Sequence, residues 1–136
     1  MRYLLDTNFI SELRKGDRAN RGVQAWTMAN DSALCAISVV TLAEIRRGIE
    51  DKRRTDRSQA LAIERWLIET KAEYAANILP ISMEIADRWG GLLSKTQLPP
   101  QDLMLAATAL EHGLTVITRN VTDFEGSGAH FHNPWK

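Results

Sequence analysis

Apolar residues fall in short bursts along the chain, and the spacing within each burst sets the element it predicts. Tyr3-Leu-Leu5 is a brief apolar run closed by Asp-Thr-Asn, the pattern of a buried strand ending at a helix cap. Phe9, Ile10 and Leu13 then recur at helical spacing, residues 15–22 predict a polar turn, and Val23–Ala29 predicts a short helix carrying Trp26. Ala33–Ile37 predicts a second strand, and Ser38 suits the cap of a helix whose Leu42, Ile45 and Ile49 form one stripe. The basic segment near Arg53 breaks the pattern before a long amphipathic helix over residues 58–76, marked by Ile63, Trp66, Leu67 and Tyr74. Ile78-Leu-Pro-Ile81 predicts a short strand, confined by its proline to a sheet edge or a strand start.

Ser82 predicts another cap, with Ile85, Trp89, Leu92 and Leu93 on one helical face that Gly90 and Gly91 each weaken by about 1 kcal/mol. Pro99-Pro100 stops the chain and primes an alanine-rich helix from near Gln101 to His112, with Gly113 as its left-handed terminator. Leu114–Thr118 is a β-branched strand, and the tail predicts one edge strand around Ala129–His132. Short strands alternating with helices predict an α/β sandwich with a mainly parallel sheet flanked by helices.

Length and composition narrow this picture. The 136 residues fit one domain spanning the whole chain, able to bury about two-thirds of its unfolded surface. The 17 Lys plus Arg balance 17 Asp plus Glu, so bulk positive charge does not drive nucleic-acid binding. The balance is uneven: residues 1–71 hold 13 basic and 10 acidic side chains, residues 72–136 hold 4 and 7. The basic excess gathers around Arg46, Arg47, Lys52, Arg53, Arg54 and Arg57, read either as a solvated helix surface or as a phosphate-contacting rim. Cys35 is the lone cysteine, in an apolar setting that suits a buried residue in a reducing compartment. The first residues carry no signal-peptide apolar region and no stretch has the ~20 residues of a bilayer span, so the expectation is a mature cytoplasmic protein beginning at Met1.

The carboxylates stand in telling places. Asp6 follows the first strand, Glu44 lies in the helix after the second, Asp102 opens the helix before the next main strand, and Asp123 lies just past that strand. Ligands of open parallel sheets bind outside the carboxyl ends of the strands, which is where Asp6 and Asp123 fall and where Glu44 and Asp102 can join them. Each acid also has an ordinary role open to it. Asp6 suits a helix cap, Thr41-Leu-Ala-Glu44 matches a capping box, Asp102 suits a helix first turn, and Asp123 an Asx-turn. Joint placement brings the chemical reading level with the structural one. Two carboxylates ~4 Å apart repel by roughly 4 kcal/mol at an effective dielectric near 20, so a gathered set calls for a cation or bound protons. Oxygen donors without histidine or thiol suit Mg²⁺ or Mn²⁺ better than zinc. His130 and His132 lack a third ligand nearby and read as tail contacts, His112 suits the negative end of its helix, and Trp26, Trp66 and Trp89 read as core or dimer-interface residues.

Four segments carry a resemblance. Leu4-Leu-Asp-Thr-Asn-Phe-Ile-Ser-Glu12, Ala43-Glu-Ile-Arg-Arg-Gly48, Asp102-Leu-Met-Leu-Ala-Ala-Thr-Ala109 and Val116-Ile-Thr-Arg-Asn-Val-Thr-Asp-Phe124 occur in the order of a PIN-domain ribonuclease of the VapC toxin type. The closing Asn133-Pro-Trp135 resembles the FitB-like subgroup. The resemblance covers essentially the whole chain. It implies a PIN-like α/β/α sandwich and a Mg²⁺-dependent endoribonuclease, with Mn²⁺ able to substitute, leaving 5′-phosphate and 3′-hydroxyl ends. It also implies neutralisation by a cognate antitoxin, a homodimer, and a toxin–antitoxin hetero-oligomer that binds operator DNA through the antitoxin.

Carried over by position, Asp6, Glu44 and Asp102 are the catalytic and metal-holding acids. The fourth acid varies among members between two places, here Asn120 and Asp123; Asp123 is chosen, with Asn120 as a polar contact. Thr7 and Thr118 join as hydroxyl contacts, and Arg46 and Arg47 as phosphate contacts to RNA. The FitB-like likeness offers a second expectation, a non-DNA-binding subunit of a repressor complex with weak or no nuclease activity.

Overall fold

The computed structural model describes residues 1–136. Its strands are β1 (Tyr3–Leu5), β2 (Cys35–Ser38), β3 (Ile78–Leu79), β4 (Thr115–Ile117) and β5 (His130–His132). Its helices are α1 (Thr7–Leu13), α2 (Arg21–Ala29), α3 (Val39–Arg53), α4 (Arg57–Glu73), α5 (Met83–Lys95) and α6 (Pro100–His112). The strands form one sheet in the order β3-β2-β1-β4-β5, and every neighbouring pair is parallel.

Side-chain alternation on these strands divides the core. Leu5, Cys35, Ile37 and Ile117 face a cluster with Phe9, Ile10, Val23, Ile45, Ile49 and Leu67 from α1 to α4. Leu4, Ala36 and Val116 face the opposite cluster, where Leu105, Ala106 and Ala109 of α6 pack closely. Alanine at the contacts of α6 lets its backbone approach the sheet, and Ile85 of α5 joins Met104 and Ala107 on its outer side. The predicted helix–sheet–helix sandwich is therefore the observed one. No helix is long and apolar enough to cross a membrane.

The departures from the sequence expectations are local and have causes. The second strand begins at Cys35 rather than Ala33, because Asp31 accepts from the Ala33 N–H at 2.9 Å and winds Ser32–Leu34 into a 3-10 turn. The long helix ends at Glu73 with Tyr74 as its cap, and Ala75–Asn77 forms a separate 3-10 turn. α2 starts at Arg21 inside the expected turn, capped by Asn20, whose side chain accepts from Gly22 and Val23. Leu93 lies off the buried face of α5 at 40% exposure. Thr41 and Glu44 form no capping box: Ser38 is the cap, accepting from Val40 at 3.1 Å, and Thr41 is already buried within α3.

The carboxyl terminus is strapped to this frame. Asn20 donates to the Lys136 carbonyl at 2.8 Å and accepts from its N–H at 3.1 Å, and Trp135 meets Phe9 edge-on at 6.0 Å. Gly22 makes the strap possible, since a Cβ there would stand 2.0 Å from the Pro134 carbonyl. Gly22→Ala is therefore expected to cost about 1–3 kcal/mol through displacement of residues 134–136, read as a lower melting temperature with loss of Trp135 burial in its fluorescence.

Candidate acidic active site

The parallel register builds the site. Tyr3, Leu4 and Leu5 pair with Thr115, Val116 and Ile117, so the next residues, Asp6 and Thr118, emerge side by side at the carboxyl ends of two central strands. The Asp6 N–H continues the ladder to the Ile117 carbonyl at 3.0 Å, and the Thr118 hydroxyl donates to Asp6 Oδ2 at 2.7 Å. Asp6 Oδ1 caps α1 through the Thr7 N–H at 2.7 Å, and the Asn8 amide donates to Oδ2 at 3.2 Å. Capping and convergence are thus the same placement rather than alternatives. Asp6 is 4% exposed, and desolvation by burial raises its carboxyl above the ordinary range against the opposing pull of the bonds from Thr118, Thr7 and Asn8.

Glu44, Asp102 and Asp123 approach from three other segments. Glu44 sits one turn into α3, half-buried, its carboxyl raised by burial and then by Asp6. Asp102 lies in the first turn of α6, whose Pro99 cap supplies no side-chain bond. Burial, then the charges of Asp6 and Asp123, side-chain hydrogen bonding toward Asp123, and the charge of Glu44 push Asp102 up to about 7. Asp123 closes the 3-10 turn Val121–Asp123 after β4, near enough to raise both Asp6 and Asp102. Thr7 is half-buried with its hydroxyl 3.4 Å from that of Thr41, and it also supports the Glu44 carboxylate. Asn120 is exposed and donates its N–H to Thr118 Oγ1 at 3.0 Å, fixing the hydroxyl that holds Asp6.

The donor set is all oxygen, mutually repulsive and partly solvated, the chemistry that suits a hard divalent cation retaining waters. No three acids close into a tight chelating cluster, so the fit is to an ion held by few direct carboxylates. Thr118→Val removes one charged hydrogen bond and is expected to cost about 1.5–3 kcal/mol while raising the Asp6 carboxyl further, read by thermal melting and by NMR titration of Asp6.

Arg46 is bonded to Glu64 and to Glu50 at 3.0 Å, and Arg47 is exposed with Asp51 at 4.0 Å. Two site residues escaped the sequence reading. Asn8 bridges Asp6, Thr118 and the Arg119 N–H, its Oδ1 accepting the last at 3.3 Å; its place two residues after a strand-end acid was the available signal. Arg119 carries its guanidinium over the Trp135 ring at 5.9 Å, a contact that needs the terminal strap in place.

Residues 3–125 match the PIN domain family along most of their length. The chain belongs to that family. Within it, this PIN domain is 32% identical over 142 residues to the VapC ribonuclease Y4jK of Sinorhizobium fredii, covering 98% of this chain and 97% of that protein. It is also 32% identical over 137 residues to Toxin FitB of Neisseria gonorrhoeae, with 97% of each covered. Its fold superposes on a chain from a structure of FitAB bound to IR36 DNA with a TM-score of 0.86, at 26% identity over 98% of this chain and 96% of that one. The PIN domain here is thus a member of the VapC and FitB toxin group.

Proposed function

We propose that this PIN domain, acting as one unit across residues 1–136, is a metal-dependent endoribonuclease toxin of the cytoplasm, neutralised by an antitoxin. The observation carrying this reading is the convergence of Asp6, Glu44, Asp102 and Asp123, from four separate segments, at the carboxyl ends of the central strands, where burial and then a neighbour's charge raise Asp6, Glu44 and Asp102. Relatives named as a ribonuclease and a toxin at full-length coverage support it.

In this reading Asp6, Glu44, Asp102 and Asp123 would hold Mg²⁺, few of them directly and the others through its waters, and the ion would supply Lewis-acid stabilisation of phosphate charge and a more acidic water. Asp6 is the fixed member, locked by three donors so that its carboxylate keeps one orientation. Asp102 is the metal-sensitive one: with no ion bound its carboxyl is raised to about 7, and a bound cation would hold it ionised. Thr118 and Asn120 hold that arrangement, and Thr7 supports Glu44. Water attacks phosphorus in line, the 3′-oxygen leaves, and the products carry 5′-phosphate and 3′-hydroxyl ends.

Likeness to a toxin–antitoxin complex supports an antitoxin partner, and likeness to FitAB bound to IR36 DNA supports operator binding through that antitoxin. That same likeness favours the second reading, a non-DNA-binding subunit of a repressor complex. Antitoxin-free protein given an RNA pool with Mg²⁺, with EDTA and with Mn²⁺ separates the two. Cleavage that EDTA abolishes and either ion restores supports the nuclease; no cleavage under any condition, with operator binding only alongside the antitoxin, supports the second.

A further inference from the structure

We propose that single-stranded RNA runs from the acidic site along the groove between α1, α3 and α4, with Arg14, Lys52 and Arg18 holding its phosphates. The inference rests on the nuclease reading and adds to it the path of the substrate.

The groove has a volume of about 320 Å³, with Thr7 and Glu44 at its acidic end and Arg14, Lys52 and Gln59 at the other. A second hollow of about 290 Å³, lined by Arg14, Lys15, Arg18 and Gln59, shares two of those residues and so continues it outward. Glu44, Gly48 and Lys52 follow one another at intervals of four on α3, which sets them on one face and puts Lys52 about 12 Å along the axis from Glu44. Charge therefore changes sign along a single track. Gly48 keeps the middle open: nothing lies within 4 Å of where its Cβ would be.

The ion pairs say which cations are available. Arg46 and Arg53 are both engaged by Glu50 and Glu64, and Arg54 by Asp51, so the basic segment that dominates the sequence is largely neutralised within itself. Arg14, Arg18 and Lys52 have no carboxylate within ion-pair distance, and Lys15 is held by Glu12. Unpaired cations spaced along an open groove that begins at a phosphodiester-cleaving site match a repeating phosphate chain. They displace Arg46 and Arg47 as the main backbone contacts.

The test uses a fluorescein-labelled single-stranded RNA of mixed sequence and the Asp6→Asn protein, which binds without cutting, titrated with Mg²⁺ across a salt series. Adding Arg14→Gln and Lys52→Gln should weaken binding about tenfold and make the slope of log affinity against log salt shallower by about 1.4, two contacts at about 0.7 each. Lys71→Gln with Lys95→Gln removes the same charge from distant surfaces and should change affinity less than about twofold. Gly48→Glu should melt no lower than its parent yet bind several-fold more weakly, which separates groove blockage from misfolding. Parental affinity in the groove variants, or an equal loss in Arg46→Gln with Arg47→Gln, overturns the path while Asp6-dependent cleavage leaves the nuclease reading standing. Parental RNA affinity with lost binding of a polyglutamate peptide assigns the groove to an acidic protein partner instead. No RNA binding or cleavage by any form removes both readings together.

Discussion

Asp6→Asn is expected to lower single-turnover RNA cleavage in Mg²⁺ by at least about 100-fold, the scale on which a site loses a directly participating acid–base group, while the protein melts no lower than the parent. The two halves of that result come from different properties of one side chain. As a cap, Asp6 offers Oδ1 to the Thr7 N–H, and asparagine is an equally good cap, so α1 keeps its first turn. With the carbonyl kept on the Thr7 N–H, an amide NH2 replaces Oδ2, so the Thr118 hydroxyl turns to accept from it and the Asn8 amide loses that acceptor. What disappears is a negative charge that burial opposes and that Asp123, Glu44 and Asp102 repel. Its loss relieves that opposition, which offsets the weakened bonds from Thr118 and Asn8, and deprives the site of its most rigid carboxylate. Asp6→Ala, by contrast, removes the cap as well and should drop stability by about 1 kcal/mol or more, so comparing the two variants separates structure from chemistry. Parental cleavage by Asp6→Asn, with an intact melt, would show that the acidic cluster is not the nuclease centre.

Much of this site was legible because its residues are tied to element ends. Strand, cap and helix patterns place Asp6 and Asp123 just past strand ends and Asp102 in a first turn, where the structure also has them. Sequence periodicity could not show that Thr118 stands beside Asp6, since that depends on the register between strands more than a hundred residues apart. Glu44 matched a capping box by spacing, yet Ser38, three residues before Thr41, took the cap, freeing Glu44 to face the cluster. Of the two readings open for the basic segment, its ion pairs favour the solvated helix surface. Its arginines are dense in sequence, but helical spacing of three and four residues and the return of α4 bring Glu50, Asp51 and Glu64 onto them. Arg14 and Lys52 look unremarkable in the chain and matter only because α1 and α3 border the same groove.

Asp102→Asn should stabilise the protein in EDTA at pH 8 by about 1–2 kcal/mol, a rise of about 3–6 °C in melting temperature, and the gain should shrink to less than about half at pH 5. The carboxyl of Asp102 is raised from 3.8 to about 7, so between those values the folded protein holds a proton that the unfolded chain has released. Its stabilising contribution is therefore complete below the unfolded value and is lost as pH rises through about 7. Asp102 is half-exposed, and solvent screening reduces the full shift to the 1–2 kcal/mol scale. Asp6 and Glu44 are shifted in the same direction, whereas Glu50, lowered to about 2, and Glu64 act only as pH falls below their unfolded range. A melt series from pH 5 to 8 thus isolates the acidic site: the parent should lose stability across it, and Asp102→Asn should lose less. Saturating Mg²⁺ should flatten the parent's slope by stabilising its ionised carboxylates, with a smaller effect on the variant. A clear fall in the melting temperature of Asp102→Asn in EDTA at pH 8 would instead make its place in the first turn of α6 the dominant role, because there the lost charge would outweigh the relieved repulsion.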